Sequence, residues 1–183
     1  MKNSYYWLAL IGFAALIIVA CSKSDETPTS TSSSSIPDYA TTTLSGKITG
    51  TDWTFKTGRV KVPTSSSGSY WYYMTNDNLS NACSSTYTGT SSNPIVFYSR
   101  DAAPTVGETE LGWGTGQGTV TFYAGGTNYG ISKGKISIDT VTTTAVTGKM
   151  YAIFGSDTDL EINGTFSLSR CCYDNSTYSV CSE

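Results

Sequence analysis

The chain contains no histidine and few charged residues. Of its 183 residues none is histidine, and Lys, Arg, Asp and Glu together make up 14%. The lack of histidine excludes a Ser-His-Asp or Cys-His nucleophile and any histidine metal ligand. The formal net charge is −3, and it becomes one unit more negative if Lys2 is removed with an N-terminal leader. Because nucleic-acid binding needs a basic surface, nucleic acid is not expected as a partner.

Long apolar runs are also missing, apart from one near the N-terminus. Residues 5–20 are mostly apolar, follow the basic Lys2 and end at Cys21. This run is shorter than the ~20 apolar residues of a membrane-spanning helix, and its layout is that of a signal peptide. Its end, Ile18-Val19-Ala20-Cys21, resembles a lipobox, which implies cleavage before Cys21 and acyl chains on the cysteine. Two or more acyl chains give stable membrane anchoring. The alternative is an uncleaved signal anchor.

The residues after Cys21 bear on location. In many Gram-negative bacteria an Asp after the lipid-carrying cysteine retains a lipoprotein in the inner membrane, so Ser22 predicts the outer membrane. Lys23-Ser24-Asp25-Glu26 resembles the acidic export signal of Bacteroidota surface lipoproteins, with a solvated linker as the alternative. The segment up to residue 43 is rich in Ser, Thr and Pro and lacks apolar periodicity, which predicts a disordered tether. The expected organisation is a leader (1–20), a tether (21–43) and one domain (44–183).

The expected domain alternates short apolar runs with turn residues. Its β-branched and aromatic side chains suit a pleated sheet, and no helical period is visible. This pattern predicts an all-β fold, an antiparallel β-sandwich of about eight or nine short strands. The predicted strands are 44–49, 53–55, 60–62, 70–75, 94–98, 119–123, 134–138, 146–154 and 160–168. The last two are expected to form a hairpin around Ser156-Asp157-Thr158.

Several short motifs resemble a group of uncharacterised Bacteroidota lipoproteins. The group's domain opens with a Gly-x-Ile-x-Gly segment and a tryptophan, matched by Gly46-Lys47-Ile48-Thr49-Gly50 and Trp53. It closes with a strand such as Asn163-Gly164-Thr165-Phe166 ahead of a cysteine, here Cys171. The similarity covers roughly 44 to 171 and rests on turn glycines and core positions. It implies an exported β-sandwich and brings no activity and no catalytic residues.

Four cysteines follow Cys21: Cys83, Cys171, Cys172 and Cys181. In an oxidising compartment an even number predicts two disulfides, with three connectivities. A bridge between the adjacent Cys171 and Cys172 would be strained, which disfavours one of them. The preferred pairing is Cys83–Cys171 with Cys172–Cys181, and the alternative is Cys83–Cys172 with Cys171–Cys181. A four-thiolate zinc site is disfavoured because no Cys-x-x-Cys pair is present.

Two acidic patterns are candidates for a catalytic or a metal site. Glu108 and Glu110 would share one face of a strand. Glycoside hydrolysis requires two carboxylates on opposite sides of the substrate, which this arrangement does not give. Asp101 or Asp157 could supply a partner carboxylate, but nothing in the sequence points to either. Asp157, Asp159 and Glu161 could bind calcium on a hairpin, but their spacing is more typical of a solvated turn. The chain is therefore expected to have no catalytic residue, no metal and no cofactor.

The glycine-rich run 112–118 could be mistaken for a phosphate-binding loop. Such a loop needs a following helix whose N-terminus holds the anion. The residues after it, Val120-Thr121-Phe122-Tyr123, are typical of a strand. We expect a loop between two strands.

The aromatic run Tyr70-Trp71-Tyr72-Tyr73-Met74 is the strongest functional signal. Successive side chains on a strand face opposite sides, so Trp71 and Tyr73 share one face, and Tyr70, Tyr72 and Met74 share the other. Because one face of a sandwich strand is core, one set must point outward, either as a ligand platform or beneath a covering loop. The serine-rich segment 76–92 could form that cover.

The sequence thus predicts a non-catalytic structural or binding lipoprotein of the outer membrane. The cell surface is one of the two sides of that membrane on which the domain could lie. The membrane is its expected partner through the anchor, together with a glycan or an envelope protein. The alternatives are a carbohydrate-binding surface lipoprotein that uses exposed aromatics and a carboxylate-based hydrolase.

Overall fold

The structure, a computed structural model, describes residues 35–114, 117–174 and 176–182. This part of the chain contains twelve β-strands and no α-helix, which confirms the all-β prediction. It therefore holds no helix with the length and apolarity needed to cross a membrane. The strands are β1 (Ser45–Ile48), β2 (Thr51–Thr54), β3 (Thr57–Lys61), β4 (Tyr70–Thr75), β5 (Ile95–Arg100), β6 (Gly107–Leu111), β7 (Thr119–Ala124), β8 (Thr127–Gly130), β9 (Lys133–Val141), β10 (Ala145–Phe154), β11 (Asp157–Asp174) and β12 (Thr177–Val180). The predicted leader, Cys21 and the tether up to residue 34 lie outside the described residues.

The strands form one curled sheet in the order β6-β9-β10-β11-β3-β4-β5-β7-β8. All pairings between the named strands are antiparallel except the one between β3 and β11, in which Arg59 lies opposite Ser169 and Lys61 lies opposite Cys171. β11 also pairs with β1 and, near its end, with β12. The predicted hairpin of β10 and β11 is confirmed, but its tight turn is at Gly155 and Ser156, and Asp157 and Thr158 already belong to β11.

A single core lies inside the curled sheet. In β7, Val120, Phe122 and Ala124 are buried and the residues between them are half-buried, and β9 alternates in the same way. One core cluster combines inward residues of β9–β11, such as Ile136 and Met150, with those of β3, β4, β5 and β7. The two halves of the sheet thus supply the two layers of the predicted sandwich.

Three described strands, β6, β8 and β12, were not predicted. Each pairs with one neighbouring strand and lies at an edge of the sheet. β6 reads Gly-Glu-Thr-Glu-Leu and buries its last residue only, and β12 buries none. Edge strands without a buried face lack the apolar alternation that marks a strand in sequence, so their pairing is visible only in the fold.

The compact unit begins at Ile36, ahead of the predicted boundary at Leu44. Asn163 fixes the preceding chain on both sides, since its Oδ1 accepts from Ala40 N at 2.9 Å and its Nδ2 donates to Asp38 O at 3.1 Å. Gly164 lets this segment pass close by, because a Cβ there would lie 2.6 Å from the carbonyl oxygen of Thr42. The apolar pattern did not reveal this segment because backbone and amide hydrogen bonds hold it.

Candidate ligand-binding groove

Strand β4 divides its aromatic side chains between the two faces of the sheet. Tyr72 and Met74 are fully buried in the core, and the ring of Tyr72 lies 4.8 Å from that of Tyr98. Tyr70 packs against the same core. Tyr70 and Tyr72 therefore cannot form an outward platform, and of the two candidate sets the outward one is Trp71 with Tyr73.

The two outward rings differ in how far they are covered. Trp71 is 42% exposed, and its ring centroid lies 6.4 Å from that of Tyr73 at an interplanar angle of 30°. Tyr73 is half-buried, with Phe97 edge-on at 5.2 Å and Tyr87 at 5.5 Å. The segment 76–92 thus covers Tyr73, as one alternative predicted, while Trp71 keeps an open side.

The covering segment is held down by Arg59 of β3. Its Nη1 donates to the carbonyl oxygens of Ala82, Cys83 and Ser85. The guanidinium lies 4.5 Å from the ring centroid of Tyr87 and 5.1 Å from that of Tyr73, so it packs on both rings. A guanidinium suits this role because its planar fork can bind several carbonyls and stack at once.

Further contacts fix the same segment. Asn81 Oδ1 accepts from the backbone N–H groups of Cys83 and Ser84, and Tyr87 donates its hydroxyl proton to Ala82 O at 3.1 Å. Gly89 lies directly against Tyr123, where a Cβ would collide with the ring. These contacts fix the segment 76–92 against the outward face of the sheet.

Two cysteine pairs complete the frame in the preferred connectivity. Cys83 is joined to Cys171 with a Cα–Cα distance of 5.4 Å, and Cys172 to Cys181 with 4.9 Å. Cys171 and Cys172 are successive residues of β11, so their side chains face opposite sides of the strand. That is the physical reason why one cysteine binds the covering segment and the other binds the chain after β12.

A tyrosine of β12 closes the other side of this surface. The ring centroid of Tyr178 lies 4.3 Å from Lys61 Nζ and 5.0 Å from the ring of Tyr173. Lys61 is the register partner of Trp71 in the β3–β4 pairing. Tyr178 therefore stands beside the exposed Trp71, although the two residues are far apart in sequence.

Two cavities meet at Tyr178. One, of about 490 Å³, is lined by Arg59, Tyr73, Tyr87, Tyr178 and residues 83–86 of the covering segment. The other, of about 170 Å³, is lined by Lys61, Trp71, Tyr178 and the loop after β3. We name these adjoining cavities the aromatic groove.

Burial raises the pKa of Tyr87 to about 12 and outweighs the opposite effect of Arg59, so the hydroxyl of Tyr87 stays neutral.

The candidate carboxylates lie in two separate places, Glu108 and Glu110 on β6 and Asp157, Asp159 and Glu161 on β11. Glu108 accepts from the hydroxyl of Tyr39 at 3.0 Å, and Glu110 accepts from Gln117 at 3.3 Å. Asp159 pairs with Lys47 at 3.4 Å, and its backbone N–H donates to Asp157. Within the described residues no three metal-capable side chains lie close enough together to hold a metal ion.

The glycine-rich run joins β6 to β7, as expected, and Thr115 and Gly116 lie outside the described residues. A strand follows it, so it has no helix N-terminus to offer an anion.

Sequence reasoning missed four groove residues: Arg59, Lys61, Tyr87 and Tyr178. Lys61 belongs to the predicted strand 60–62, and Arg59 lies just before it; the structure extends that strand back to Thr57 and places both cations on the side opposite the buried Val60. Tyr87 and Tyr178 carried no such local signal, because a disulfide and a strand pairing bring them to the groove.

No family model, no curated protein and no solved structure matches the chain. The resemblance to Bacteroidota lipoproteins therefore stays a prediction, and the functional argument depends on the geometry of the groove.

Proposed function

We propose that the chain is a non-catalytic lipoprotein of the outer membrane that binds a glycan in the aromatic groove. The observation that carries this proposal is Trp71, whose flat ring is 42% exposed beside Tyr73 and Tyr178 on a rigid strand. The other face of this strand packs in the core, so Trp71 is not needed there. A large solvent-exposed aromatic side chain of this kind offers a platform for a flat, partly apolar ring. The rings of a sugar chain fit that description.

The construction of the groove favours binding. Its walls are pinned by Arg59, by the Cys83–Cys171 disulfide and by hydrogen bonds, so little conformational entropy is lost when a ligand enters. Its lining combines aromatic residues with the polar residues Ser84, Ser85 and Thr177, as ligand sites generally do.

The same lining supports a role without turnover. Hydrolysis of a glycosidic bond needs a carboxyl acid and a second carboxylate several ångströms away. No Asp or Glu is among the described residues that line the two cavities.

The proposed location comes from the sequence alone, from the apolar leader that ends at Cys21 and from Ser22 after it.

Replacement of Trp71 tests the proposal, with Trp113 as the matched control. Both are exposed tryptophans, and Trp113 lies in the loop after β6, outside the groove. The mature chain, made without acyl groups from Ser22 onward, is screened on a glycan array, and its binding to the best glycan is measured by calorimetry. Trp71→Ala should weaken binding at least about tenfold, or about 1.4 kcal/mol, with little change in melting temperature. Trp113→Ala should bind like the parent chain.

Two results would contradict the proposal. The parent chain could bind no glycan on the array, or Trp71→Ala and Trp113→Ala could bind equally well. Tyr72→Ala is the folding control, because removal of this core ring should cost about 3–5 kcal/mol of stability whether or not the groove binds a ligand.

A further inference from the structure

The aromatic groove carries two positive charges. Arg59 lines the larger cavity and Lys61 the smaller one, and both lie on the outward side of β3. No carboxylate is among the described lining residues, although the chain as a whole has a net charge of −3. Asp101 accepts a hydrogen bond at 2.7 Å from Ser69, which lines the smaller cavity. The groove is thus a basic site in an acidic protein.

Neither cation is neutralised by an acidic side chain that the structure describes. The salt bridges in this part of the chain join Lys47 to Asp159 and Lys149 to Asp139, away from the groove. The close partners of Arg59 are carbonyls and rings, and that of Lys61 is the ring of Tyr178. An anion in the groove would therefore meet positive charge without competing with a carboxylate.

The two cations have different roles. Arg59 uses Nη1 to bind three carbonyls of the covering segment and packs on the rings of Tyr73 and Tyr87, so it holds this segment in place. Lys61 lies between Trp71, its register partner, and Tyr178, where the two cavities meet. Its ammonium group sits at the end of a flexible stem and offers three donors. Lys61 is thus placed to reach a charged group on a ring that stacks on Trp71.

We propose that the aromatic groove selects acidic glycans, with a carboxylate of a uronic acid unit at Lys61 and the sugar ring on Trp71. This inference depends on the proposed function, since it specifies which glycans the groove takes. A charged hydrogen bond made beside apolar rings, partly out of water, is stronger than one between exposed groups.

Matched pairs of ligands with the same sugar backbone, one member with free carboxylates and the other with neutral groups in their place, provide the test. An oligogalacturonate is compared with its methyl ester, and a hyaluronan oligosaccharide with its carboxyl-reduced form, on the mature unacylated chain. The acidic member of at least one pair should bind about tenfold more tightly than its neutral partner, the ratio expected for one charged hydrogen bond. Higher ionic strength should weaken the acidic member's binding and leave the neutral member's unchanged.

The variant Lys61→Gln should remove this preference, so that both members of the pair bind alike and the salt dependence disappears. Lys61→Arg should keep most of it, because the charge stays in place. Lys47→Gln is the control, an exposed lysine paired with Asp159 outside the two cavities. Thermal melting of each variant separates a loss of binding from a loss of fold.

The outcomes distinguish this inference from the proposed function. Equal binding of the acidic and neutral members to the parent chain, or an acidic preference that survives Lys61→Gln, overturns the selection of acidic glycans. Glycan binding that depends on Trp71 would stand in that case. If neither the matched pairs nor the glycan array shows any bound sugar, the proposed function fails and the inference fails with it.

Discussion

At the scale of single residues, we expect tyrosines to determine how the stability of the fold depends on pH, a role that histidine has in most proteins. The chain has 13 tyrosines and no histidine, so it lacks the side chain that ordinarily titrates near neutrality. Burial raises the pKa of Tyr72, Tyr73 and Tyr98, and it raises the pKa of Tyr87 and of Tyr151 to about 12. In alkaline solution the folded chain therefore keeps phenolic protons that the unfolded chain releases.

This raised pKa predicts a loss of stability in alkaline solution. A tyrosine in the unfolded chain ionises near pH 10.0, whereas Tyr87 in the folded chain ionises near 12. Between these values the unfolded state binds fewer protons, so the free energy of unfolding falls as the pH rises. The full contribution is present below pH 10 and is lost as the pH passes through the folded pKa. Urea unfolding from pH 8 to 12 measures this slope.

The variant Tyr87→Phe isolates one contributor to the slope. It should be slightly less stable near pH 8, by about 1 kcal/mol, because the hydroxyl's hydrogen bond to Ala82 is lost. Above pH 10 its stability should fall less steeply than that of the parent chain. A slope as steep as the parent's would show that Tyr87 ionises freely in the folded state.

At the scale of elements, the groove depends on β11 and the segment 76–92. β11 pairs with β3 in parallel and with β12 in antiparallel orientation, and so brings Lys61 and Tyr178 to one place. The segment 76–92 contains no strand and is fixed by Arg59, Asn81 and Cys83. A long ordered segment without strands or helices is most often functional, which agrees with its place as a wall of the groove.

The two disulfides should contribute unequally to stability. Their sequence separations are 88 and 9 residues. If constraint of the unfolded chain dominates, these separations correspond to about 4.5 and about 2.5 kcal/mol. The double variant Cys83→Ala with Cys171→Ala should therefore melt at a lower temperature than Cys172→Ala with Cys181→Ala, by calorimetry. The reverse order would show that native packing, not chain entropy, sets the contribution.

At the scale of the whole molecule, the proposal joins a sugar-binding domain to a lipid anchor. The anchor rests on the leader and on Cys21, which lie outside the described residues. The compact unit starts at Ile36, whereas the predicted tether extends to residue 43.

Mass spectrometry of the mature N-terminus tests the anchor. The native protein should begin at Cys21 and carry acyl chains, because the apolar leader ends at a cysteine preceded by a small residue. Cys21→Ser should prevent both acylation and removal of the leader by lipoprotein signal peptidase, so the variant should keep residues 1–20 and carry no acyl chain. Cys83→Ala with Cys171→Ala is the control, since it should leave the acylated terminus unchanged. An unacylated terminus at any other residue contradicts the lipoprotein prediction.

Local sequence determined the division of side chains between the two faces. Alternation along each strand requires that Tyr72 and Met74 point away from Trp71 and Tyr73, and that adjacent Cys171 and Cys172 bind different elements. The all-β class and nine of the strands follow from such local rules, which also exclude a bridge between Cys171 and Cys172, while the choice between the two remaining pairings is seen only in the structure. These features depend on the backbone of a few neighbouring residues, which is why the sequence alone could predict them.

Tertiary structure alone decided which aromatic set faces outward and what surrounds it. The parallel pairing of β3 with β11 joins residues more than a hundred positions apart, and no pattern within either strand specifies that partner. The covering of Tyr73, the open side of Trp71 and the approach of Tyr178 to Lys61 all depend on this pairing and on the disulfide to Cys83. Such contacts are settled by competition among all segments for one core, a property of the whole chain that local patterns do not contain.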